Sequence, residues 1–160
     1  MNPLTIRPAT EADMQEVFRL VEELAEYERA AHEVKTSPAV YQRDGFGAQA
    51  WFHCLVAERP DEGIVGMALY YFAYSTWKGR MMFLEDFVVR QTYRRQGIGR
   101  RLIDALVAEA LRHDVQLLKW EVLDWNESAI AMYDSLGATF DAGWIDVKIF
   151  REQMERWENA

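Results

Sequence analysis

A window of about 20 residues constrains this chain more than any other part of it. Leu84-Glu85-Asp86-Phe87-Val88-Val89 reads as an apolar strand with two carboxylates in it. Tyr93-Arg94-Arg95-Gln96-Gly97-Ile98-Gly99-Arg100-Arg101-Leu102 follows as an Arg/Gly loop that opens directly into a helix. The first turn of a helix carries N–H groups with no partner inside it, and glycines allow a ligand to approach them closely. Such a loop suits a phosphate or pyrophosphate. The strand carboxylates put a possible base beside the bound group, so strand, loop and acid together point to an enzyme.

The remaining pattern fits around this window. Thr5-Ile6-Arg7 is a short strand, and Thr10-Glu11-Ala12-Asp13 resembles a capping box with Asp in the last place. Met14, Val17, Phe18, Val21, Leu24 and Ala25 predict a helix from Glu11 to about Arg29. A second helix is expected from Ser37 to Arg43, stopped by Asp44-Gly45-Phe46-Gly47. Phe52 to Glu58, Val65 to Tyr74 and Met81 to Val89 read as consecutive strands separated by turns. Leu102, Ile103, Leu106, Val107 and Ala110 mark a helix from Gly97 to Arg112. Leu117 to Leu123 is a strand, Asn126 to Leu136 a helix, Trp144 to Phe150 a last strand, and a short helical tail follows. Antiparallel strands first and a β-α-β-α-β run second make an α+β domain with a mixed sheet, expected to span 1–160 as a single domain.

Half of the 160 residues are hydrophobic and 13% are aromatic, well clear of disorder. No apolar run reaches membrane-spanning length, and Met1-Asn2-Pro3-Leu4-Thr5-Ile6-Arg7 lacks the apolar core of a signal peptide, so a cytoplasmic location is expected. The net charge of −8 disfavours nucleic acid and favours cationic or neutral small substrates. Arg90, Arg94, Arg95, Arg100 and Arg101 crowd one basic spot at the glycine loop, which fits an anionic cofactor. His32, His53 and His113 show no metal spacing, and no metal is expected. Cys54, the single cysteine, sits among Phe52, Leu55 and Val56 and reads as a buried structural thiol.

Gly97-Ile98-Gly99 is too short for a dinucleotide fingerprint, and no Gly-Lys-Ser/Thr follows it. Arg94-x-x-Gly97-x-Gly99 between an acidic strand and a helix is more specific, and resembles the pyrophosphate motif of the GNAT N-acetyltransferases. The similarity continues through Asp44-Gly45-Phe46-Gly47, Phe52 to Glu58, Tyr70-Tyr71-Phe72, Tyr74 to Arg80 and Val122-Leu123-Asp124-Trp125-Asn126. These segments resemble the spermidine/spermine N1-acetyltransferase group, and within it the branch that acetylates thialysine.

The resemblance implies the GNAT fold, a mixed and mostly antiparallel sheet flanked by helices with a β-α-β acetyl-CoA-binding core. It implies acetyl-CoA as co-substrate, held by Phe87, Val88, Val89, Arg94, Arg95, Gln96, Gly97, Ile98, Gly99, Arg100 and Asn126. Asn126 is alternatively only a helix cap, and both roles are compatible. Glu85 matches the family's base and Tyr133 its acid. Tyr27, Glu28, Ser75, Trp77, Asp86 and Trp144 match positions around the amine. The family is dimeric, which implies a homodimer.

Direct attack by an amine needs no Ser or Cys nucleophile, but it does need a deprotonated amine. A lysine-like amine near pKa 10.4 is neutral in only about one molecule in a thousand at neutral pH, a penalty of roughly 4 kcal/mol. Polyamine-acetylating members carry an acidic residue where this chain has Ser75, and Asp141-Ala142-Gly143 precedes Trp144 in place of a doubly acidic segment. Both departures favour thialysine, a lysine-like amino acid or a small diamine over spermidine or spermine. Polyamine acetylation and a non-catalytic acyl-CoA-binding sensor are the alternatives.

Overall fold

The alternating segments form the first half of a five-stranded sheet in the order β1-β2-β3-β4-β5. Its strands are β1 (Thr5–Pro8), β2 (His53–Arg59), β3 (Gly63–Ser75), β4 (Gly79–Val89) and β5 (Leu117–Trp120). The first three pairings are antiparallel and the β4–β5 pairing is parallel, as a β-α-β crossover requires. The helices are α1 (Met14–Tyr27), α2 (Pro38–Phe46), α3 (Ile98–Arg112), α4 (Glu127–Ser135) and α5 (Arg151–Glu158). This computed structural model describes residues 3–158. Met1 and Asn2, which open the N-terminal stretch read above, and residues 159–160 lie outside them. The chain forms two compact units, one running to Glu121 and the other starting at Val122.

In the first unit, Met14, Val17 and Leu20 of α1 bury themselves against Cys54, Val56, Met67, Leu69 and Val88 of the sheet. These are the apolar positions that the helical and alternating periods predict. Helix α3 packs on β2, β3 and β4, with Leu102 set over Gly66. A Cβ on Gly66 would stand 2.9 Å from the Val88 carbonyl and 3.4 Å from Leu102, so glycine is required for this close approach.

The helix from Glu11 begins as a single 3₁₀ turn, Glu11–Asp13, before α1 proper. Asp13 acts as the box acid, accepting from the Thr10 N–H at 2.7 Å and from its hydroxyl at 2.8 Å. Arg7 ties β1 to the same carboxylate at 2.7 Å and to Glu58 at 2.7 Å. These bonds hold Asp13 down at about 2. Ser37 caps α2 through the Val40 N–H, and the helix runs three residues past Arg43, to Phe46.

In the second unit, α4 and α5 form where the sequence predicts helices. The strand expected over Trp144 to Phe150 does not form. Its alternation is present, with Ile145 88% and Val147 85% exposed, but among the described residues no strand pairs with it. A period of two without a ladder makes no strand. The same reasoning shortens β5, which ends at Trp120 and not at Leu123.

Candidate active site

The β3–β4 hairpin carries one irregularity, and it falls at the acidic pair. From Ser75↔Gly79 to Tyr70↔Leu84 the ladder is regular, and then Leu69 pairs with Asp86. Glu85 is therefore the extra residue of a β-bulge. In a regular strand Glu85 and Asp86 would point to opposite faces. Here Asp86 shares the face of Leu69, and Glu85, two residues after Phe83, follows the side of Phe83, whose partner Tyr71 lies two residues from Leu69 on that same face. The bulge thus brings two consecutive carboxylates to the α1 side of the sheet.

The consequence is electrostatic. Burial, then the charge of Glu85, then that of Glu28 push Asp86 up to about 6. Glu28, the C-terminal cap residue of α1, is raised by burial. Tyr41 of α2 faces the same group, raised by burial and by Asp86. A half-buried cluster of carboxylates with phenols around it is suited to a cation.

Next to this cluster, the parallel ladder between β4 and β5 stops at Leu84↔Trp120, just before the bulge. Beyond β4 the chain turns through Arg94, whose Nε donates to the Val89 carbonyl at 3.0 Å. The Arg94 guanidinium also lies over the Tyr27 ring, 4.9 Å from its centroid. Tyr27, next to Glu28, is thereby joined to the glycine loop. Gly97 is the N-cap of α3, with φ of 78°. No side chain caps this helix start, and nothing lies within 4 Å of where a Gly97 Cβ would be. Amide donors at a helix N-terminus with open space before them fit a diphosphate.

The loop arginines have different duties. Arg100 pairs with Asp104 at 2.8 Å, and Arg101 donates to the Leu4 carbonyl at 2.8 Å. Arg90 pairs with Glu16 and with Glu23, so it braces α1 against β4. Arg94, Arg95 and Gln96 are exposed on the loop and Ile98 is buried beneath it. Arg95 itself adopts a left-handed backbone, φ 63°.

Ser75 and Trp77 sit at the hairpin tip. Ser75 accepts from the Trp77 and Lys78 N–H groups at 3.3 and 3.1 Å, and Trp77 is 83% exposed. At roughly 3.3 Å per residue the tip is about 17–20 Å along the strand from the bulge. Within this unit, Ser75 and Trp77 do not join Tyr27, Glu28, Glu85 and Asp86. In the second unit, Asn126 caps α4, accepting from the Ala129 N–H at 3.3 Å. Tyr133 on that helix is buried, and the exposed Trp144 donates to Asp141 at 3.1 Å.

Three participants escape a reading of the sequence. Arg59 donates to the Gln96 side chain at 2.6 Å and lies over Tyr93, fastening the loop from 37 residues away. Tyr71 and Tyr41 join the acidic face. Only the hairpin register could have pointed to Tyr71, by counting back from the turn, and nothing local marks the other two. Cys54 is buried in the core, where burial pushes its thiol up. No cluster of three or more His, Cys, Asp or Glu among the described residues could hold a metal ion.

Residues 17–138 match the model of the Acetyltransferase (GNAT) family. The mouse thialysine N-epsilon-acetyltransferase is 43% identical over 159 residues, covering 93% of this chain and 94% of its own length. The bovine thialysine N-epsilon-acetyltransferase is 46% identical over 149 residues, covering 87% and 88%. Among solved structures, an integron cassette protein from the mobile metagenome of V. cholerae superposes with a TM-score of 0.79 at 21% identity, covering 98% of each chain. Sequence and fold agree: the chain belongs to the GNAT acetyltransferase family, enzymes that transfer an acetyl group to an amine.

Proposed function

We propose that this enzyme acetylates the side-chain amine of thialysine or a similarly short amine, with acetyl-CoA as donor and the whole chain acting as one catalytic domain. The observation that carries the reading is the bulge, which turns Glu85 and Asp86 to one face beside an uncapped helix N-terminus. The Gly97 region, with Phe87 to Val89 and Arg94 to Arg100, would hold the diphosphate and pantetheine, and Asn126 would add a contact. Coenzyme A supplies the acetyl as a thioester when bound. Glu28, Asp86 and the Tyr27 ring hold the acceptor as an ammonium. Glu85 would take one proton from the ammonium, the freed nitrogen would attack the thioester carbonyl, the C–S bond would break, and Tyr133 would give its phenolic proton to the departing thiolate; the second proton, which the nitrogen sheds in becoming an amide, would restore the Tyr133 phenol, so that the net release is the one proton on Glu85.

The small size of the acceptor follows from the anionic contacts available. Three carboxylates at one place suit one ammonium, and Ser75 offers no charge at the hairpin tip. Names of relatives at 42–46% identity point the same way. A homodimer is part of the reading, supported by the exposed apolar row Trp144, Ile145, Val147, Ile149 and Phe150. A second copy is also a means by which Ser75 and Trp77, at the hairpin tip, would reach an acceptor. A cytoplasmic location fits the lone free thiol.

The test is thiol release from acetyl-CoA with thialysine, spermidine and a lysine peptide side by side. Thialysine should give the highest kcat/KM, and preferred turnover of spermidine would overturn the acceptor assignment. Glu85→Gln and Tyr133→Phe should each lower kcat by about 10²-fold or more. Retained activity in the double variant would overturn both roles and leave the family unchanged.

A further inference from the structure

We infer that Arg59 is a positioning residue for acetyl-CoA: acting through the Gln96 side chain, it fixes the loop that receives the diphosphate. The inference rests on the reading of the Gly97 helix start as the diphosphate site. The ladder that fixes β4 against β3 ends at Val89, so the chain from there to α3 needs another restraint. Two residues of this stretch have left-handed backbones, Arg95 with φ 63° and Gly97 with φ 78°, and Gln96 stands between them. Glycine adopts that conformation at little cost, and arginine does not. A non-glycine residue keeps it where the surroundings enforce it.

The restraint comes from the end of β2. Arg59 donates through one terminal nitrogen to the Gln96 side-chain oxygen at 2.6 Å and through the other to Glu62 at 3.2 Å. The Gln96 amide nitrogen donates in turn to the Thr92 carbonyl at 3.3 Å, which closes the loop on itself. The Arg59 guanidinium also lies over the Tyr93 ring, 5.3 Å from its centroid. One planar group thus grips the loop on both sides of Arg94 and Arg95. Arg59 is only 14% exposed, and its Nε is buried with no hydrogen-bond partner among the described residues. An arginine kept for solubility would hold its head in water and satisfy that nitrogen.

The experiment is calorimetric titration of coenzyme A into wild type, Arg59→Met, Gln96→Ala and the double variant, with steady-state kinetics beside it. Methionine keeps the apolar stem and removes the guanidinium. Arg59→Met should weaken coenzyme A binding about 3- to 10-fold, the worth of one hydrogen bond, and raise KM for acetyl-CoA by a similar factor. Its kcat and its KM for the amine should stay within about twofold. In the Gln96→Ala background the same substitution should cost less than about twofold. With S-acetyl-pantetheine, a donor that lacks the diphosphate, wild type and Arg59→Met should have the same kcat/KM. Unchanged coenzyme A binding in Arg59→Met overturns the inference. So does an equal loss in both backgrounds, which would make Arg59 a direct contact, or a matching loss with S-acetyl-pantetheine, which would put the defect in the fold. Arg59→Lys keeps charge and stem but not the planar fork, and should weaken binding by a smaller factor. It serves if the methionine variant does not fold, and binding equal to wild type in it then overturns the inference. Gly97→Ala tests the reading beneath: unchanged coenzyme A binding there removes the diphosphate site and the inference with it. Weakened binding in Gly97→Ala but not in Arg59→Met overturns the inference alone.

Discussion

Asp86→Asn should make the protein more stable at neutral pH while weakening its hold on the amine. In the folded chain Asp86 titrates at about 6 against an ordinary 3.8, chiefly because it is buried and then because Glu85 and Glu28 face it. A raised acid disfavours folding once it must ionise. The penalty is absent well below pH 3.8, grows between 3.8 and 6, and is constant above 6. A shift of about two units at about 1.36 kcal/mol each gives an upper figure of about 3 kcal/mol. Asp86 is only partly buried, so water screens part of it, and about 1.5–3 kcal/mol is the working range. For a chain of this size that corresponds to a melting temperature higher by about 3–10 °C. Denaturant unfolding of both proteins at pH 7.5 and at pH 4 measures it. The advantage of the variant should be full at pH 7.5 and fall to a few tenths of a kcal/mol, within error, near pH 4. An advantage equal at both pH values, or none at pH 7.5, would refute the reasoning, because the carboxylate would then be compensated in the native state. The amine KM should rise in the variant, and in wild type it should rise as pH falls through about 6, where Asp86 loses its charge.

Two further outcomes follow from other parts of the molecule. Gly97→Ala places a Cβ in open space but on a left-handed backbone, so it should destabilise by about 1–2 kcal/mol and raise KM for acetyl-CoA more than it lowers kcat, read by melting and by steady-state kinetics. Native Cys54 should resist a thiol reagent at pH 8 and react only on unfolding, because burial raises its thiol and the core covers it; prompt labelling of the folded protein would contradict the packing.

What the sequence makes legible is what a single segment encodes. Met14, Val17 and Leu20 announce their helix by spacing, and Gly97 announces its cap by being where a helix must begin. Glu85 and Asp86 are visible as carboxylates, yet their common face is not, because a bulge is a property of two strands read together. Arg59 is invisible for the same reason, since its partner Gln96 lies 37 positions on. The error at Trp144 to Phe150 shows the converse: alternation at Ile145, Val147 and Ile149 describes a chain ready to pair, and pairing depends on a neighbour that the segment cannot specify.

The bulge also separates the architecture of this enzyme from its chemistry. Strand β4 has 11 residues, and the sheet uses all but one of them in its hydrogen-bonded count against β3. Removal of a single residue there would let the hairpin close into an unbroken ladder, with better pairing than the native one. The residue taken out would be Glu85 itself, so the ladder would run from Leu84 straight to Asp86 and leave that face with one acid where it has two. Reading-frame-preserving loss of one codon would be a quiet lesion: a well-folded sheet with nothing to do.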